Sequence, residues 1–228
     1  MVCKLWAMTF QRARSTEQRE IRRQTILDTA VAMLDEMSVA EISLNELSRR
    51  VGLAKSNVLR YFESREAVLF ELLERAMTRW LAQLPDELAA GVDPRGSARE
   101  RGDQVAAVLS ASLTRQTMLC DLINAQTNVL EHNVSVEVVL RHKRSAIAYI
   151  ATASDLVRRH VPELGDGARP VSITTLILAG ALSSYCRPSA SALAAYEADP
   201  TVLELRLDLR TALESAVATL IAGTLARS

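Results

Sequence analysis

The chain has 228 residues, with 27 lysines and arginines balanced by 27 aspartates and glutamates. A hydrophobic fraction of 49% and a charged fraction of 24% exclude a disordered or collagen-like chain and fit one large globular domain or two small ones. Only 8 glycines and 6 prolines are present, about half of average usage, too few for the many tight turns of a sandwich or barrel. Abundant Ala and Leu then point to an all-α protein.

The three cysteines, Cys3, Cys120 and Cys186, are odd in number and widely spaced. They form neither a disulfide framework nor a metal-ligand pair and read as reduced thiols. No run of about 18 apolar residues is long enough to span a membrane. Met1 to Phe10 lacks the form of a signal peptide, so a cytoplasmic protein is expected, with Met8 as an alternative start. The charge is unevenly spread: residues 1–62 carry ten cations and seven anions. Such asymmetry suggests a basic N-terminal part that meets a polyanion.

In chain order, residues 1–14 read as a flexible tail. From Glu17 to Met37, Ile26, Ala30, Met33 and Met37 recur in steps of three and four, one stripe on a helix face, with Ser15 and Gln18 as a capping box. Ser43 and Glu46 form a second capping box. Leu44, Leu47 and Val51 follow, and Gly52 closes this short helix as a left-handed terminator. A further short helix runs from about Ala54 to Phe62, with Val58 and Phe62 inward and Lys55, Ser56, Asn57 and Arg60 outward. Ser64 caps a long helix striped by Val68, Leu69, Leu72, Leu73, Met77, Trp80, Leu81 and Leu84, and Pro85 is expected to end it. The breaker-rich stretch 85–102 marks the clearest boundary in the chain. Helices are expected at about 103–114, 116–131, 135–160, 169–186 and 201–225.

Two short helices joined at Gly52, the second with polar residues at its start, form a helix-turn-helix pattern. A helix so presented can enter the major groove, roughly 12 Å wide, with its N-terminal side chains at the base edges. From Ile26 to Leu73 the chain resembles the TetR family of bacterial transcriptional regulators, in ILDTAVAMLDE and ISLNELSRRVGLAKSNVLRYFESREAVLFELL. The resemblance implies a three-helix DNA-binding domain over 15–63. The long fourth helix then joins it to an all-helical effector-binding and dimerisation domain over 64–228. It assigns Ser43, Lys55, Ser56, Asn57, Arg60, Tyr61 and Arg65 to DNA. Leu59 and Ala54 depart from the family pattern, the latter where a Ser or Thr often caps the recognition helix.

The resemblance further implies a homodimer through the last two long helices. The apolar run Val171 to Leu182 reads as buried all round, and Ala179, Gly180 and Ala181 would admit a close partner helix. A small apolar effector is expected at Trp80, Met118, Asn124, Asn128 and Tyr149, with Trp80 at the junction of the halves. No cofactor is expected. Cys120, Asp121, Glu131 and His132 span too much helix to share a metal, and His142 and His160 read as exposed or hydrogen-bonded histidines. No nucleophile–base pair, phosphate loop or His-Glu-x-x-His signals an enzyme. The expected function is a DNA-binding regulator, a repressor on a palindromic operator. The rival is a helical small-molecule-binding protein or enzyme whose helix-turn-helix is only structural.

Overall fold

A computed structural model describes residues 2–227, with side chains described from Glu17 onward. The chain is all-α, without strands among the described residues, and divides into two units, 1–72 and 73–228.

The first unit opens with α1 (Val2–Glu36). No Gly or Pro interrupts these residues, so the helix begins ahead of Ser15 rather than after a tail over 1–14. The capping box expected at Ser15 falls within the helix, and the Ser15 side chain lies outside the described residues. Ile26, Leu27, Ala30 and Met33 are buried along one stripe of α1. Helix α2 (Leu44–Val51) packs on α1, and α3 (Lys55–Val58) packs on α2. These two helices are too short to persist alone. Their buried Leu47 and Val58, with Phe62 just beyond, supply the stability that local propensity lacks. Helix α4 (Arg65–Gly91) gives its first two turns to this unit. Its Glu71 pairs with Arg23 of α1, whose guanidinium also lies 4.7 Å from the centroid of the Phe62 ring.

Pro85 does not end α4. Proline deletes one backbone hydrogen bond, but Leu81, Leu84, Leu88 and Val92 continue the buried stripe on both sides of it. Burial of two or three such side chains, each worth about 1.5–3 kcal/mol, offsets a loss of about 3 kcal/mol. The contact division falls inside this helix, between Leu72 and Leu73, rather than at residue 63 or in the stretch 85–102.

The second unit adds α5 (Ala98–Thr114), opened by a complete capping box. Ser97 Oγ accepts from the Glu100 N–H at 3.3 Å, and the Glu100 carboxylate accepts from the Ser97 N–H at 2.8 Å. Gly102 lies inside this helix, not before it, against Ile221 of α10 (Leu209–Leu225). Helices α6 (Thr117–Ala125), α7 (Val136–His160) and α8 (Ala168–Tyr185) complete the packed core, with α6 and α7 both against α8. A π-helical turn over Gln126–Leu130 prolongs α6. Helix α9 (Ala190–Ala198) buries none of its residues, and the 201–225 segment splits into a 3₁₀ turn and α10, capped by Asp208.

Gly180 makes its close approach within the chain. A Cβ there would lie 3.0 Å from the Asn124 backbone nitrogen and 3.2 Å from the Cys120 carbonyl oxygen of α6. Nor is α8 buried all round: Val171, Thr175, Leu176 and Ala179 are, while Ile177 is 59% exposed.

Candidate DNA-recognition helix and ligand cavity

The turn between α2 and α3 is set by Gly52, at φ 72° and ψ 30°. A Cβ there would meet nothing within 4 Å, so glycine is required for backbone conformation, not for space. The Gly52 and Leu53 N–H groups close the end of α2 on Arg49 and Ser48 carbonyls at 3.2 and 3.0 Å. At its start, Ser43 Oγ accepts from the Glu46 N–H at 3.1 Å. The reciprocal half of the expected box does not form, because the Glu46 carboxylate is taken by Arg49 and Arg50 at 2.5–2.9 Å. Those guanidinium groups, Arg49 first, hold the Glu46 carboxyl down at about 2. Arg50 also meets Glu36 at 2.7 Å. The basic surplus of this part of the chain is therefore partly neutralised from within.

Helix α3 has no side-chain cap, since Ala54 stands at the N-cap. Turns continue to Phe62 through bonds from the Arg60, Tyr61 and Phe62 N–H groups to the Asn57 and Val58 carbonyls. With Val58 and Phe62 anchored in the core, Lys55, Ser56, Asn57 and Arg60 are left exposed, and Tyr61 is half-buried. Lys55 and Arg60 hold no ion pair among the described residues, in contrast to Arg49, Arg50 and Arg65. Exposed Arg19 and Arg22 on α1 share this property and were not singled out from sequence.

Arg65 is used differently from its sequence assignment. Its guanidinium donates to the Ile42 carbonyl at 2.7 Å and pairs at 2.9 Å with Glu66, itself buried. An arginine committed to carbonyls and a carboxylate of its own unit clamps the loop before α2 rather than reaching out to phosphate.

The second unit holds a cavity of about 460 Å³ walled by α4, α6, the π turn, α7 and α8. Leu73, Met77, Ile123, Ala146, Ile150, Ile173, Leu176 and Ile177 supply apolar wall, and Asn124, Gln126, Thr127 and Asn128 bring polar groups. Of the five residues expected at an effector, Asn124, Asn128 and Tyr149 line it. The Tyr149 hydroxyl donates to the Glu74 carbonyl at 3.3 Å, so its ring, not its hydroxyl, is offered. Trp80 and Met118 are not in the wall. Trp80 is 1% exposed, and its indole N–H donates to Ser112 Oγ at 3.0 Å, satisfying a buried donor inside the core. His142, read from sequence as exposed or bonded, is a buried wall residue, and that burial lowers its imidazole to about 4. The wall combines residues from Leu73 to Ala181, more than a hundred positions apart, and no local pattern marks which faces meet.

The other flagged groups go elsewhere. Buried Cys120 donates to the Leu113 carbonyl, its thiol pushed up to about 11 by burial. Asp121 pairs with Arg187 and Glu131 with Lys143, while His132 is exposed. No three acidic, histidine or cysteine side chains among the described residues could hold a metal, and no described helix is long and apolar enough to cross a membrane.

These features define an all-α protein with a helix-turn-helix unit and a separate cavity-bearing helical unit. Residues 26–72 match the family model for bacterial regulatory proteins of the tetR family, and residues 74–228 match that for the tetracyclin repressor-like C-terminal domain. The chain belongs to the TetR family of bacterial transcriptional regulators. An HTH-type transcriptional regulator of Mycobacterium tuberculosis is 29% identical over 80 residues, 35% of this chain and 40% of that one. The EthR regulator of the same species is 36% identical over 58 residues, 25% of this chain and 27% of its own. The chain thus matches less than half the length of these relatives.

In fold, the chain is similar to the FadR regulator of Bacillus subtilis, solved with stearoyl-CoA, with TM-score 0.53, 14% identity, and 88% of this chain and 98% of that one covered. A TetR/AcrR-family regulator of Thermobifida fusca gives TM-score 0.51, 20% identity and coverage of 89% and 97%.

Proposed function

We propose that the chain is a cytoplasmic homodimeric repressor that binds a palindromic DNA operator and is released by a small apolar effector held in the α4–α8 cavity. Its activity is binding, not catalysis. One observation carries the DNA half: the start of α3 presents Lys55, Ser56 and Asn57 to solvent, with Arg60 one turn on, while buried Val58 and Phe62 fix the helix behind them. Lys55 and Arg60, without a carboxylate partner among the described residues, neutralise phosphates, and Asn57 offers an amide to a base edge such as adenine. Ser43 stands at a helix start suited to phosphate, and Tyr61 lies beside the backbone contacts. Arg65 acts through the loop it holds.

Dimerisation through α8 and α10 would set two recognition helices on half-sites about 34–36 Å apart, or a multiple of that spacing. An effector that binds one conformation better shifts the pair between binding and non-binding states by its differential affinity alone.

Selection of duplexes bound by the full chain from a random pool tests this. Enrichment of an inverted repeat is expected. Neither enrichment nor low-salt binding to any duplex would overturn the proposal and leave the rival reading, a helical ligand-binding protein.

A further inference from the structure

The cavity has a feature that bears on what it takes. None of its lining residues is Asp, Glu, Lys or Arg. Beyond the wall, Glu131 and Lys143 are paired with each other and leave no surplus charge at that point. A ligand carboxylate or phosphate entering this space would shed its water and meet no cation. An uncompensated charge costs several kcal/mol under such conditions. His142 supplies none at neutral pH, since burial holds its imidazole down at about 4.

What the wall does offer is neutral hydrogen bonding. Asn124, Thr127 and Asn128 all line the space, and none of their side chains is bonded to another described residue. Two amides and a hydroxyl provide donors and acceptors together. They match a group that is itself both polar and uncharged. The surrounding isoleucines and leucines match an apolar body.

Building on the proposed effector role of this cavity, we infer that it selects an uncharged, mainly apolar ligand with one hydrogen-bonding group, such as an amide, ester or alcohol. The polar group is seated on Asn124, Thr127 and Asn128, and the cavity discriminates against the corresponding carboxylate or coenzyme A thioester.

The test is calorimetric titration of the full chain at neutral pH with matched probes of one chain length. These are dodecanamide, methyl dodecanoate, dodecanol, dodecanoate and dodecanoyl-CoA, with octyl and hexadecyl series alongside. Neutral probes are expected to bind about a hundredfold or more tightly than dodecanoate, the ratio set by an unpaired desolvated charge. Ala146→Phe, which fills the space with a ring, is expected to abolish that binding while circular dichroism stays that of the unaltered chain. As a second blocking variant, Ile173→Phe guards against a packing defect at Ala146. Equal or tighter binding of dodecanoate or dodecanoyl-CoA, lost in the blocked variants, overturns the ligand class but leaves the cavity as the effector site. Neutral-probe binding that survives both blocked variants overturns the effector role of the cavity itself. Failure of every probe in all three series overturns the inferred ligand class.

Discussion

Lys55→Ala isolates the electrostatic contribution of the recognition helix. Lys55 is exposed at the first position of α3 and has, among the described residues, no carboxylate partner to release when it is removed. Its loss therefore alters the free protein little. Each phosphate contact contributes about 0.9 to the slope of log affinity against log salt. A homodimer carries the substitution twice, so the slope should become shallower by about 1.8. Between about 50 and 200 mM salt, a fourfold change, the affinity advantage of the unaltered protein should shrink about twelvefold. Fluorescence anisotropy with a labelled selected duplex, repeated at four or more salt concentrations, reads this directly. Arg65→Ala is the internal control. It removes the 2.7 Å bond to Ile42 and the partner of buried Glu66. It should cost about 1–3 kcal/mol of stability, a fall of roughly 2–4 °C in Tm per kcal/mol for a chain of this size, with the slope unchanged. An unaltered slope for Lys55→Ala, or a reduced one for Arg65→Ala, would refute the reasoning from internal pairing.

Asn57→Ala should change which duplexes a random pool enriches while keeping the salt slope, because an amide at a base edge carries sequence discrimination of about 1–3 kcal/mol. Ser112→Ala should lower thermal stability by the cost of an orphaned indole N–H, about 1–3 kcal/mol. The same variant should leave the effector concentration for DNA release unchanged, since Trp80 packs in the core outside the cavity wall. Gly180→Ala should destabilise by about 1–3 kcal/mol, because the added carbon presses on the α6 backbone at 3.0 Å; an equal melting temperature would show that α6 gives way. Leu213→Glu should unfold the chain, as Leu213 is 1% exposed within the second unit. Leu220→Glu, on the shallow groove between α8 and α10, should instead yield folded monomers by sedimentation; an intact dimer for that variant would move the dimer face elsewhere.

The first unit was legible from residues because its signals are local. Ser43 and Gly52 bound α2 through backbone needs that a short string displays: an oxygen for an orphan N–H, and a residue tolerant of positive φ. The i, i+4 spacing of Val58 and Phe62 then states which side of the recognition helix is free. Which cations are held by partners inside the chain was not legible. Arg50 meets Glu36 fourteen positions back, and Arg65 meets Ile42 twenty-three positions back, so only the folded chain shows these two engaged while Lys55 and Arg60, like Arg19 and Arg22, hold no ion pair among the described residues. Pro85 likewise reads as a stop because its cost is local, whereas the burial of Leu84 and Leu88 that offsets it is tertiary. The cavity lies furthest from what sequence alone decides. Asn124 and Asn128 share a face by spacing, but their wall partners Leu73, His142 and Ile177 arrive from three other helices. Composition and periodicity determined that this protein would be helical, with a helix-turn-helix near its start, since those rest on interactions within a few residues. Tertiary packing decided which charges remain free and which side chains enclose an uncharged space, because a charge or a cavity is defined by whatever neighbour the fold brings to it.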